Sequence, residues 1–358
     1  MSRVYNFYAG PAVLPEQVLK QAALDIVDFQ NRGMGLIEMS HRSPAFTAVI
    51  EEATALIREL LRVPDNYNIL FLEGGASSQF FMIPMNLLKH DQSAAYLNTG
   101  VWSNKAIQEA RRFGRITVPY SSEETNFDRV PKDNDYQVPP DSEYLYFVSN
   151  NTVFGTQFPD MPNKDVTLVA DMSSDMLSRP VDVSRFGLIY AGAQKNIGPA
   201  GVTLVIIRED LLARADAHVP IMLRYKTHAD EGSLFNTPPT FAVYCVGLVM
   251  RWLKEQGGVE EMARRARKRA GLLYEAIDAT DFYQGHAQKD SRSLMNVTFN
   301  LPTKELEAEF LREAGERNFV GLKGHRITGG CRASLYNACP LEAAERLAEF
   351  MADFAKRH

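Results

Sequence analysis

Cysteine and tryptophan are scarce in this chain, with three of the former and two of the latter among 358 residues. Cys245, Cys331 and Cys339 are odd in number and form no CxxC pair. That argues against a disulfide framework or a zinc knuckle and for reduced thiols in a cytoplasmic protein. Long hydrophobic runs are missing as well: none approaches the roughly 20 apolar residues that span a bilayer. The first segment, MSRVYNFYAGPAVLPEQ, lacks an apolar core of signal-peptide length. Nor is positive charge in excess. With 39 Lys and Arg against 44 Asp and Glu, the net charge is −5. A general nucleic-acid or membrane binder is not expected, but a local basic pocket for a small anion is compatible with this balance. The basic run ARRARKRAG (263–271) reads as the solvated face of a helix. The seven histidines show no HExxH-like spacing, so no metal site is expected.

What is present suits a large globular protein. A hydrophobic content of 45% can bury a sizeable core, and the length fits one large domain plus a smaller one. Seven short apolar runs end in small or polar residues: NILFL (68–72), SAAYL (93–97), ITV (116–118), EYLYFV (143–148), VTLVA (166–170), GLIYA (187–191) and VTLVII (202–207). Several read as strands buried on both faces, and helix-like segments alternate with them. The pattern predicts an α/β fold, with a mainly parallel seven-stranded sheet between helices. Before the first run, two helices flank the loop NRGMGLIEMSHRSP. Beyond Gly257-Gly258 the texture changes to helix, strand, helix, strand, helix, as in a small α+β domain. The expected division is a large domain over 16–257 and a small domain over 258–358, joined by residues 1–15 as an N-terminal arm.

In an open α/β sheet, ligands bind beyond the carboxyl ends of the strands. Here those positions hold Gly74-Gly75-Ala76-Ser77, Trp102, Thr152, Asp171 and Gln194-Lys195. Each alone has an ordinary use as a tight turn, a core aromatic, a cap or a surface cation. Together they suit pyridoxal 5'-phosphate (PLP). That cofactor needs an amine for its aldehyde, and a crowded lysine with a lowered pKa supplies one. It needs a carboxylate at the pyridine nitrogen so that the ring can take up electrons. It also needs helix-start N–H groups for its phosphate and a flat side chain against the ring. Lys195 lies in YAGAQKNIGPAG, whose small residues leave room for a ring to approach.

Seven segments carry a resemblance: NFYAGPAVLP (6–15), MSHRSPAF (39–46), LEGGASSQF (72–80), ADMSSDMLSRP (170–180), YAGAQKNIGPAG (190–201), NTPPTFAVY (236–244) and KGHRITGGCRASLYNA (323–338). In this order, and over nearly the whole chain, they resemble the phosphoserine aminotransferases, which are class V aminotransferases of PLP fold type I. The resemblance implies a homodimer with shared active sites. It implies amino transfer between L-glutamate and 3-phosphohydroxypyruvate in serine biosynthesis, with 4-phosphohydroxythreonine of vitamin B6 synthesis as a further candidate substrate. By the same resemblance, Lys195 binds the cofactor aldehyde and moves the Cα proton, and Asp171 partners the pyridine nitrogen. Trp102 stacks on the ring, Thr152 donates to the ring hydroxyl, and Ala76, Ser77 and Gln194 form the phosphate cup. Asn236 and Thr237 reach that phosphate from the other subunit. Arg332 matches the clamp for the α-carboxylate, a task that suits an arginine fork. His41, Arg42, His325 and Arg326 match the site for the substrate phosphate and for the side-chain carboxylate of glutamate. Some family members carry an arginine in the loop that here reads GGASSQF, so one phosphate contact of those members is absent.

Three other classes compete with this reading. Another class V enzyme, such as a cysteine desulfurase or an alanine–glyoxylate-type aminotransferase, keeps the fold. A desulfurase needs a mobile, exposed thiolate, whereas Cys331 reads as a strand residue. The smaller-substrate aminotransferases have no evident need for two His-Arg pairs. A nicotinamide-dependent oxidoreductase would need GxGxxG where the chain has LEGGAS. A non-catalytic binding protein leaves Lys195, Asp171 and the basic pairs unexplained as a set.

Overall fold

The computed structural model describes residues 3–358. Seven strands form one sheet: β1 (Tyr67–Leu72), β2 (Ser93–Asn98), β3 (Arg115–Ser121), β4 (Ser142–Val148), β5 (Leu168–Asp171), β6 (Phe186–Gly192) and β7 (Thr203–Arg208). Their order is β1-β7-β6-β5-β4-β2-β3. From β6 to β3 all neighbours are parallel. The runs are rich in aliphatic and aromatic residues because both faces are covered. In β4, Leu145 and Phe147 enter one core, while Tyr144, Tyr146 and Val148 enter the other. This is the two-residue alternation of a strand.

The first core is closed by α1 (Glu16–Val27), α2 (Pro44–Leu61) and, later in the chain, Thr240–Glu255. The second is closed by α3 (Gly75–Leu87) and α4 (Val101–Ala110). Helix α2 starts where the sequence signals it, with Ser43 accepting from the Phe46 N–H and Pro44 in the first turn. The helix Thr240–Glu255 is α5, and α6 (Gly258–Asp278) follows it directly.

The main elements beyond α6 are β8 (Asn296–Asn300), α7 (Lys304–Glu316), β9 (Cys331–Ser334) and α8 (Leu341–Arg357). β8 lies antiparallel between β9 and Gln284–Gly285. These elements share a separate core built around Phe299, Phe310, Phe350 and Phe354. Helix α6 enters both cores, with Val259 and Met262 in the large one and Ala270, Leu273 and Ile277 in the small one. The N-terminal segment joins the small core: Tyr5–Asn6 pairs parallel with Phe319–Val320, and Phe7 is fully buried there.

Strand β7 is antiparallel to both β1 and β6, and this reversal places Lys195. After β6 the chain makes no helical crossover. It turns straight back, with the Ala193 N–H donating to Val202 O at 2.9 Å and the Gly198 N–H to Ala193 O at 2.8 Å. Gly201, at φ +118°, closes the return. Among the described residues, no helix is long and apolar enough to cross a membrane.

Candidate active site

Asp171 is the last residue of β5 and pairs across the sheet with Tyr190 of β6. Its carboxylate is almost fully buried, at 4% exposure. Oδ1 accepts from the Ser173 backbone N–H at 2.8 Å, and Oδ2 accepts from the Tyr190 hydroxyl at 3.0 Å. Burial pushes its pKa up, while the donors at Ser173, the charge of Lys195 and the Tyr190 hydroxyl pull it back.

Lys195 stands in the return turn beyond β6. Its Nζ donates to Thr152 Oγ1 at 2.7 Å. Desolvation draws the amine down from the usual 10.5 to about 8; Asp171 opposes this shift and Arg332 adds to it. The N-terminal segment covers the turn, with the Ala12 N–H donating to Gln194 O at 2.9 Å. A Cβ on Gly10 would lie 3.4 Å from Lys195 Cγ. Arg332 approaches from β9, and its Nη1 donates to Thr152 O at 3.2 Å, while its Nε is buried without a partner. Lys195, Thr152 and Arg332 therefore form one continuous line.

Trp102 lies in the first turn of α4, its indole N–H buried and unpartnered. Lys105, one helical turn on, sits 4.8 Å from the centre of its ring. Helix α3 begins at Gly75, with Gly74 before it, both in the left-handed region at φ +66° and +87°. No side chain caps its first turn, so the leading N–H groups, those of Ala76 and Ser77 among them, have no intrahelical partner. The positive end of the helix faces the same rim. His325 and Arg326 lie on the loop between Phe319–Val320 and β9. Burial holds the His325 imidazole below its ordinary range, and the charges of Arg332, Arg326 and Lys105 press it further.

This donor set fits PLP. A desolvated amine, a buried carboxylate with lone pairs to spare, a hydroxyl bonded to the amine, an unpartnered indole and an uncapped helix start all lie at the carboxyl ends of the sheet's strands.

Three expected site residues, His41, Arg42 and Thr237, form a second group. Thr237 Oγ1 and His41 Nδ1 are 3.2 Å apart, and Arg42 adjoins His41. Asn236 lines a cavity of about 310 Å³ together with Gly74 and Ser78. Among the described residues, none of His41, Arg42, Asn236 and Thr237 bonds to Lys195, Thr152 or Arg332. Reading the sequence missed Lys105, Ser173 and Tyr190. Only the helical i to i+3 spacing from Trp102 offered a signal for Lys105. Cys331 is 1% exposed and burial pushes its thiol up, so it is no desulfurase nucleophile.

The fold and this rim define a class V aminotransferase, and the chain matches that family over residues 4–347. It is 64% identical to the phosphoserine aminotransferase of Desulfotalea psychrophila, over 99% of this chain and 98% of that one. It is 56% identical to that of Geobacillus kaustophilus, over 100% and 99%. The phosphoserine aminotransferase structure from Bacillus circulans subsp. alkalophilus superposes with a TM-score of 0.97 at 50% identity, covering 99% of each chain. The PLP-bound phosphoserine aminotransferase of Trichomonas vaginalis gives 0.93 at 38%, covering 98% of this chain and 99% of that one. Within class V, the chain belongs to the phosphoserine aminotransferases.

Proposed function

We propose that the chain is a PLP-dependent transaminase that moves the amino group between L-glutamate and 3-phosphohydroxypyruvate, giving O-phospho-L-serine and 2-oxoglutarate. The observation that carries this is the Lys195–Thr152–Arg332 line beside the buried Asp171. When bound, PLP supplies an aldehyde for the amino group and a ring that accepts electrons from the substrate Cα. Asp171 would hold its charge at the pyridine nitrogen. Trp102 would back the ring, and Thr152 would donate to its hydroxyl. Ala76, Ser77 and Gln194 would hold the cofactor phosphate. The Lys195 amine, with a pKa of about 8, is poised near working pH to take the Cα proton and return it. Arg332 clamps the α-carboxylate. His41, Arg42, His325 and Arg326 hold the substrate phosphate or the second carboxylate of glutamate.

The reading extends to a cytoplasmic homodimer in which Asn236 and Thr237 serve the partner's site, and to 4-phosphohydroxythreonine as a second substrate. It includes the division into a large domain (16–257) and a small one (258–358 with 1–15), supported by a small core separate from the two that flank the sheet.

The test is the visible spectrum of the PLP-loaded protein before and after L-phosphoserine, with L-alanine and L-cysteine as controls. Loss of the yellow band with phosphoserine, and far less with alanine, is the expected result. A response to alanine or cysteine alone would move the function to a class V relative. Lys195→Ala should retain PLP and lose turnover by orders of magnitude; near-normal turnover would overturn the assignment. Arg326→Ala should harm phosphoserine more than a non-phosphorylated amino acid, and equal losses would argue against a phosphate role.

A further inference from the structure

Beneath the carboxyl ends of the strands, on a core face that also holds the Tyr96–Tyr144 hydroxyl pair and Tyr225, two further tyrosine hydroxyls form a chain that ends on Asp171. Tyr146 and Tyr190 are 1% and 0% exposed. They project from β4 and β6, the strands on either side of β5, and their hydroxyls meet at 2.8 Å. Two phenylalanines would fill the same volume without the cost of burying polar atoms. The direction of the contact follows from counting protons. A hydroxyl carries one, and Tyr190 donates its own to Asp171 Oδ2. Tyr190 must therefore accept from Tyr146, so the order is Tyr146 to Tyr190 to Asp171. An accepted hydrogen bond polarises the Tyr190 O–H and strengthens it as a donor. The Tyr146 ring is held by stacking on Tyr96 at 4.6 Å between centroids. Burial keeps both phenols protonated far above their ordinary range, so they remain donors at every working pH.

We propose that Tyr146 and Tyr190 form a directed hydroxyl relay that keeps the Asp171 carboxylate charged and fixed in orientation, with Tyr190 as a positioning residue. The proposal rests on the reading of Asp171 as the partner of the pyridine nitrogen. The Ser173 N–H secures one carboxylate oxygen, and the relay secures the other. The Ser173 donors and the charge of Lys195 counter the effect of burial on Asp171 most strongly, and the Tyr190 hydroxyl adds to them; loss of the relay would free the second oxygen to turn and weaken its hold on the ring nitrogen's proton.

The experiment measures the pH midpoint of the visible band in PLP-loaded Tyr190→Phe, Tyr146→Phe and Asp171→Asn, together with kcat and KM. The band reports protonation of the nitrogen that joins Lys195 to the cofactor. If the ring nitrogen loses its proton, one nearby positive charge disappears and the midpoint rises. Asp171→Asn should raise it most, Tyr190→Phe by about one unit in the same direction, and Tyr146→Phe by less. In Tyr190→Phe, kcat should fall about tenfold while KM for glutamate stays within about twofold. 3-Fluorotyrosine at position 190 is a stronger donor of nearly the same shape and should move the midpoint down, which serves if Tyr190→Phe does not fold. A shift in Asp171→Asn with none in either tyrosine variant or in the fluorinated protein would overturn the relay, whatever happens to kcat. No shift in Asp171→Asn would overturn the reading of Asp171 itself.

Discussion

In the proposed role, Lys195 has to be desolvated enough to shed its proton readily, yet open enough to meet an aldehyde. Its folded pKa of about 8 lies below the usual 10.5. Between those values the unfolded chain binds more protons than the folded one, so stability rises with pH across that window. Below it, the protonated amine opposes folding in full. In the apoprotein, Lys195→Met should therefore melt higher than the parent near neutral pH, with the gap narrowing as pH climbs from 8 toward 10.5. A gap that ignores pH would mean the amine is not desolvated. His325 is biased the same way, toward neutral, by burial and by Arg332, Arg326 and Lys105. A bound phosphate dianion reverses that field. Phosphoserine binding should take up a proton, visible as a buffer-dependent heat in calorimetry, and His325→Gln should abolish it.

The turn between β6 and β7 is the element that matters most, because a direct return leaves the lysine at the sheet's edge of chemistry rather than on a crossover helix. The junction of β2 and α4 is the next most constrained. A Cβ on Gly100 would lie 2.3 Å from Asn151 Oδ1, beside Thr152. Gly100→Ala should cost about 1–3 kcal/mol in urea unfolding and weaken PLP binding by displacing Thr152; unchanged PLP affinity would show that the two segments are not coupled. Strand positions were readable in the sequence, since strands buried on both faces must be nearly continuous apolar runs. The reversal of β7 was not, because an antiparallel strand buried on both faces has the same composition as a parallel one.

At the scale of the molecule, the site residues fall into two groups, one around Lys195 and one around His41 and Thr237. An apolar surface accompanies the second group's region of the chain: Leu24, Val27, Met34 and Ile37 are 66%, 74%, 41% and 56% exposed. Exposed large apolar side chains close together in sequence suit burial against another copy. If sites are shared in a homodimer, co-expressing Lys195→Ala with an Asn236→Ala/Thr237→Ala variant should yield mixed dimers with activity that neither parent shows. Activity no higher than that of the parents would place each complete site within one chain.

The strand runs, the helix starts and the Gly74-Gly75 turn were legible in the sequence, as were Asp171 and Lys195 as candidate site residues. These depend on local composition and on chemistry that only certain side chains can perform. The tertiary structure alone decided that Tyr190, an ordinary member of the apolar run GLIYA, points its hydroxyl at Asp171. It also decided that Thr237 meets His41 across 196 residues of chain. The physical reason is that such proximities arise from sheet order and packing, and no short stretch of sequence encodes which distant residue will lie on the neighbouring strand.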